Sequence, residues 1–289
     1  MSKSKLKSKK SQEIPKAVLY TAQFLDTIST RLAVVFAAKL FTTPIKHKMP
    51  KREFEMNKKT IQTPFHVPEI NKDIVVYEWG NHTPKVLLVH GWSGRGTQLY
   101  KIAEALVNNG YSVVSFDAPG HGKSAGNSSI MLEFIASIKA IDQKFGPFEA
   151  AVGHSLGGMA LFNAVKDGFK IKNLVTIGSG DVVKDIIHEF VSKLKIKKKA
   201  IELLSQHFEK KYKVPMNSFS AYLSAEKMNI PVLVIHDEDD DDVPVSAGIH
   251  IHKHLKNGSL MITQKLGHRK ILGDEKVIQR TIEFIQNKK

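Results

Sequence analysis

Short, predominantly apolar runs set at regular intervals constrain this chain more than any other feature. Segments 85–90, 112–116, 148–153, 174–177 and 232–236 are each four to six residues long and lack a regular apolar–polar alternation. A strand with one wet face alternates, whereas a strand without alternation is buried on both faces, as in a parallel sheet covered by helices. Between these runs lie helix-length stretches at 98–109, 129–145 and 157–167, the first closed by Gly110 and the second by Gly146-Pro147. Two further strand-like segments, 61–67 and 73–79, precede the series. The runs at 246–256, 260–263 and 274–287 complete it as helix, strand and helix. The fold class is therefore α/β: a mostly parallel, eight-stranded sheet with helices on both faces. The rhythm breaks once, at 181–229, which reads as helical with no strand. The chain divides into an extension at 1–60, a core at 61–180 and 230–289, and a helical insertion at 181–229.

In such sheets the chemistry sits on loops at the carboxyl ends of the strands. Gly153-His154-Ser155-Leu156-Gly157-Gly158 follows one strand and opens one helix. The bare pattern G-x-S-x-G arises by chance in roughly one chain of this length in ten, so its placement carries the weight. A sharp strand-to-helix turn strains its central residue, and flanking glycines let the backbones approach. It would expose the Ser155 hydroxyl with a helix N-terminus behind it, which favours developing negative charge. His90-Gly91-Trp92 closes an earlier strand. The amides of Leu156 and Trp92 are the natural donors for an oxyanion. Ser93-Gly-Arg-Gly96 has no Gly-Lys-Ser/Thr after it, so it is not a P-loop.

Together with Asp117-Ala-Pro-Gly-His-Gly-Lys-Ser124, His236–Pro244 and Gly267-His268, these segments occur in an order that resembles the α/β-hydrolase fold superfamily, in its serine carboxylesterase and lipase branch. The resemblance covers about residues 73–289 and leaves out the extension. It implies a serine, then an acid, then a histidine along the chain. Ser155 would attack a carboxylic ester, or a thioester, and His268 would take its proton. Asp240 would orient the histidine. Aligned on Val243-Pro244, the acid motif selects Asp240, with Asp239 as its competitor. Asp237 stands where the family pattern has glycine, and Glu238, Asp239, Asp241 and Asp242 crowd the same loop. Asp117 and His121 would shape the sheet edge, and 181–229 would be a helical cap over the nucleophile. The chemistry needs neither metal nor organic cofactor. His250 and His254 could share a helix face, but no third metal ligand is evident. A histidine base must be neutral, so activity is expected to fall on acidification. The alternative is an idle hydrolase scaffold used for binding.

The formal net charge is +15, from 43 Lys and Arg against 28 Asp and Glu. Residues 1–60 hold 14 basic and 4 acidic residues, and 181–230 hold 10 and 6, so the excess sits outside a nearly neutral body. With no recognition motif present, charge alone does not make a nucleic-acid-binding protein. The chain has no cysteine, which excludes disulfides, thiolate zinc and a cysteine nucleophile. It fits a reducing, cytoplasmic setting. Residues 1–12 form a Lys/Ser tail. Beyond it, Val18, Ala22, Leu25, Ser29, Leu32, Val35 and Phe36 mark one helical stripe. Asp26 and Arg31, each costing about 2.5–3.5 kcal/mol at a bilayer centre, argue against a spanning helix. The run 32–38 lies too far from residue 1 for a cleaved signal. The extension is expected to dock on the body, with peripheral contact to an anionic membrane through residues 1–41, or an oligomer contact, as alternatives. The Lys cluster at 193–199 is either a solvated turn or an attractor of acidic substrates. A small ester or acyl compound is the expected ligand.

Overall fold

The computed structural model describes residues 14–287; the Lys/Ser tail and the last two lysines lie outside it. Its eight strands are β1 (Ile61–Val67), β2 (Lys72–Trp79), β3 (Lys85–Val89), β4 (Ser112–Asp117), β5 (Ala150–His154), β6 (Asn173–Ile177), β7 (Val232–Asp237) and β8 (Gly258–Thr263). They form one sheet in the order β1-β2-β4-β3-β5-β6-β7-β8. β2 runs antiparallel to both neighbours, and every pairing from β4 to β8 is parallel. The central strands are buried along their whole length, as their missing alternation requires.

Helices Met131–Phe145, Leu156–Lys166 and Val245–Lys253 cover one face, and Tyr100–Asn108 and Glu275–Ile285 the other. Each face has its own core: Phe116, Phe134 and Phe162 on the first, Leu88, Ile102 and Ile235 on the second. The chain leaves β3 toward β4 on one side, then returns to place β5 on the other. The carboxyl ends of β3 and β5 therefore border a crevice where the winding reverses, the place such sheets bind ligands.

Two helices of the insertion, Val183–Leu194 and Lys199–Tyr212, stand above that crevice as a cap, followed by the short helix Ala221–Ala225. The single stripe expected in the extension is divided. Ser29 adopts extended backbone between helices Lys16–Ile28 and Thr30–Phe41. The chain folds back there because small residues, Ala22, Ala37 and Ala38, can then all be buried, with Val34, in one cluster with the cap's Ile187, Leu204 and Phe208. The pair thus docks largely on the cap. Asp26, buried at the end of the first helix, accepts the backbone N–H of Lys197 at 2.8 Å, and the Lys197 ammonium donates to the Asp26 carbonyl at 3.0 Å. After the pair, the extension crosses the mouth of the crevice, where the Ile45 amide donates to the Ser93 hydroxyl at 3.0 Å.

Candidate active site

The turn after β5 is built by glycine. A Cβ on Gly153 would stand 2.7 Å from the backbone of Gly157, and one on Gly157 would collide with the carbonyls of Val89 and His90. This close approach lets the chain reverse within one residue, and Ser155 takes φ 53°, ψ −121°. Such a conformation costs a non-glycine residue of order 1–3 kcal/mol. It is held by the Ser155 amide, which donates to the Ile177 carbonyl at the end of β6, and by the helix that starts at Leu156.

His268 and Asp240 arrive from the loops after β8 and β7. His268 Nδ1 lies 2.7 Å from Asp240 Oδ2. An ionised carboxylate only accepts, so Nδ1 carries the proton and Nε2 keeps its lone pair. A Cβ on Gly178 would lie 3.2 Å from His268 Nδ1 and 3.3 Å from Asp240 Oδ2, so the pair sits directly over the end of β6, beside the strained serine. The ring of His154, the residue before Ser155, packs on that of His268 with centroids 4.6 Å apart, and its Nε2 reaches the His268 carbonyl at 2.8 Å. Burial, then the neighbouring His268, hold the His154 imidazole neutral, well below its ordinary range. Asp240, not Asp239, is the carboxylate on the histidine: Asp239 turns away and accepts the Lys265 amide at 2.7 Å.

Burial works to raise the Asp240 carboxyl, but hydrogen bonds from His236 and His268, the His268 charge and the Val243 amide outweigh it and hold the group well below the usual carboxylate range. Its Oδ1 accepts the amides of Asp242 and Val243 at 2.9 and 2.8 Å. Asp237, a departure from the family pattern in the sequence, proves to have a place of its own. Its buried carboxylate accepts the Thr263 hydroxyl at 2.7 Å and the amides of Gly267 at 2.8 Å and Leu266 at 3.2 Å. It therefore joins the acid-bearing loop to the residues just before His268. Burial opposes its ionisation, but these donors outweigh it and lower its pKa.

At the crevice, neither the Trp92 nor the Leu156 amide donates to another group among the described residues. The loop carrying Trp92 is fixed by His90. The Ala118 amide donates to His90 Nε2 at 3.0 Å, so Nδ1 carries the proton and donates to the Gly91 carbonyl at 2.7 Å. Burial lowers the His90 pKa to about 4, which keeps this neutral tautomer. The Trp92 ring stands edge-on to His121 at 5.1 Å. Asp117, buried beneath, accepts the amides of Gly96 and Lys123 at 2.6 Å each and the Tyr77 hydroxyl at 2.8 Å, pinning both loops at this sheet edge.

Ser155, Trp92 and Leu156 open onto a cavity of about 830 Å³ under the cap, with Met159, Ile186, Phe190 and Phe219 in its wall. The extension contributes as well. Leu40 and Phe41 line the cavity, and the Phe41 ring packs on Phe190 at 5.1 Å and on Phe208 at 5.5 Å. No sequence signal pairs residues so far apart. Among the few polar groups of the wall are Asp181 and His250, which bond to each other. His254 faces Glu226 instead, and no group of three His, Asp or Glu among the described residues could hold a metal.

A family model described as the alpha/beta hydrolase fold matches residues 84–209, from β3 into the second cap helix, and the chain has that fold. A non-heme haloperoxidase of Rhodococcus erythropolis is 30 % identical over 121 residues, which are 40 % of this chain and 44 % of that protein. The match thus spans less than half of that curated relative. Among solved structures, an esterase from Exiguobacterium antarcticum superposes with a TM-score of 0.64 at 16 % identity, covering 78 % of this chain and all of the esterase. A bromoperoxidase from Bacillus anthracis gives 0.61 at 16 % identity with the same two coverages. At such identities the likeness is one of fold.

Proposed function

We propose that the protein is a serine hydrolase that cleaves carboxylic esters, thioesters being the nearest variant, through an acyl-enzyme on Ser155. The observation that carries this reading is the His268–Asp240 hydrogen bond over the end of β6, beside a serine in strained backbone. His268 Nε2 takes the Ser155 proton as Oγ attacks the ester carbonyl. Asp240 holds the tautomer and stabilises the imidazolium. The Trp92 and Leu156 amides, which have no other acceptor among the described residues, receive the developing oxyanion. His268 returns the proton to the leaving alcohol, and water, activated by the same imidazole, releases the acid. The apolar cavity suits a large acyl group, as ligand pockets of this size and lining do.

The test is labelling by a fluorophosphonate. Wild type should label and Ser155→Ala should not; an unlabelled wild type that still binds esters would make the molecule a binding scaffold. A second chemistry is favoured by the haloperoxidase relative: hydrogen peroxide opening the same acyl-enzyme to a peracid, which then oxidises halide. Halogenation that requires a carboxylic acid, peroxide and Ser155 would establish it.

A further inference from the structure

The large hydrophobic residues left exposed are confined to one part of the molecule. Tyr20, Phe24 and Ile28 are 67 %, 64 % and 61 % exposed, and Leu32 and Val35 are 49 % and 58 %. The other three, Ile45, Phe54 and Ile61, also fall in the first 61 residues, so among the described residues the rest of the protein exposes none. Tyr20, Phe24 and Ile28 recur every four residues and Leu32 and Val35 three apart, so each helix of the N-terminal pair turns an apolar crest to solvent while Ala22 of the first and Ala33, Ala37 and Ala38 of the second face inward. Among the described residues nothing covers these crests.

The exposed charge around them is almost all positive. Between residues 14 and 60, nine Lys and Arg are exposed against one exposed acid, Glu55, because Asp26 and Glu53 are buried. The bond from Asp26 to Lys197 also brings the cap's lysines to the end of the first helix, beside Ile28. Lys193, Lys195, Lys197, Lys198 and Lys199 are all exposed there. Two basic blocks far apart in sequence thus meet around the apolar crests.

We infer that this face of the N-terminal helix pair, with the lysines of the cap turn, seats on an anionic lipid bilayer. Apolar crests ringed by Lys and Arg are what an interfacial helix presents to acyl chains and acidic headgroups. No helix among the described residues is long and apolar enough to cross a membrane, so the seat is peripheral. The first 13 residues carry five more lysines and only Met1 and Leu6 as apolar side chains, so their composition adds positive charge and little apolar surface. A second copy would oppose like charges. The second helix ends at Leu40 and Phe41, which line the cavity, so the seat places the cavity wall against lipid. Resting on the hydrolase reading above, the ester is then an acyl lipid drawn from that surface.

Co-sedimentation of the full chain with phosphatidylcholine vesicles, with and without phosphatidylglycerol, tests the seat. Binding should require phosphatidylglycerol and be lost in about 1 M salt, where charges are screened beyond a few ångströms. Phe24→Ser/Ile28→Ser should bind at least about tenfold more weakly, in line with the lost apolar contact. It should label with fluorophosphonate as wild type does, yet cleave a vesicle-borne acyl ester more slowly. Ser155→Ala should bind vesicles normally, so a failure of the hydrolase chemistry leaves this readout untouched. Phe24→Trp, a milder change, should shift its emission to the blue on anionic vesicles. Equal binding by wild type and the double variant, absence of binding, or a solution dimer that the double variant dissociates would each overturn the proposal. The last outcome would assign the face to a second copy.

Discussion

At the scale of single residues the site depends on a few atoms that have no freedom to move. Gly91 shows it most plainly: a Cβ there would lie 2.9 Å from the Ser155 Cβ and 3.0 Å from His154 Nδ1. Gly91→Ala should therefore leave a folded protein, by its thermal melt, while lowering kcat on a soluble ester about 10²-fold or more, the cost of a displaced nucleophile. Asp240→Asn should drop kcat about 10⁴-fold with little change in KM, because the amide would favour the wrong histidine tautomer. Asp237 acts one step back, through the Leu266 and Gly267 amides. Asp237→Asn should lower kcat more than it changes KM, with Asp237→Ala worse, since only the amide can still accept one of those hydrogens. The elbow and Trp92 could be picked out as candidates in the sequence because each is a local pattern at a strand end, and His268 because of its place after the last strand. Asp237 was not, because its acceptor role exists only once β7 and β8 pair with Asp237 opposite Thr263.

Among the elements, the strands could be read from composition alone, since burial on both faces removes alternation. The N-terminal pair could not. Its stripe is continuous in sequence, and the break at Ser29 answers to the cap, whose helices lie more than 140 residues further on. Alanines that pack helix against helix carry little local signal. The Asp26–Lys197 link is therefore the point at which to test the assembly. Asp26→Ala would leave the Lys197 amide without its acceptor, a hydrogen bond worth about 0.5–1.5 kcal/mol, and should lower Tm and speed proteolysis at 195–199. Phe41→Ala removes a ring wedged between Phe190 and Phe208. It should raise KM for an octanoyl ester while leaving an acetyl ester nearly unchanged, because the lost surface lies in the cavity wall.

For the molecule as a whole, buried neutral histidines set the acid limit. Burial lowers the pKa of His90 to about 4 and, aided by the nearby His90 charge, that of His121 to about 3; burial also holds His154 well below its ordinary value. Below the ordinary value near 6.5 the unfolded chain takes up these protons and the native chain does not, so stability falls as pH falls. Each contributes a slope of about 1.4 kcal/mol per pH unit until its folded-state value is reached. Denaturant melts between pH 7 and pH 4.5 should show this loss, and His121→Gln should flatten it. Asp240 adds to the loss only at lower pH, since its depressed carboxyl stabilises the fold above the ordinary carboxylate range and ceases to as that range is crossed downward. The joining of the extension to the cap also has a consequence in time. A ribosome releases the helix pair first, and its partner Lys199–Tyr212 follows only after the intervening chain is made, about 10–30 s later at ordinary elongation rates. During that interval the inner alanine face of the nascent pair has nothing to pack on, which makes the synthesis of residues 42–212 the period when this protein most needs a chaperone or a surface to rest on.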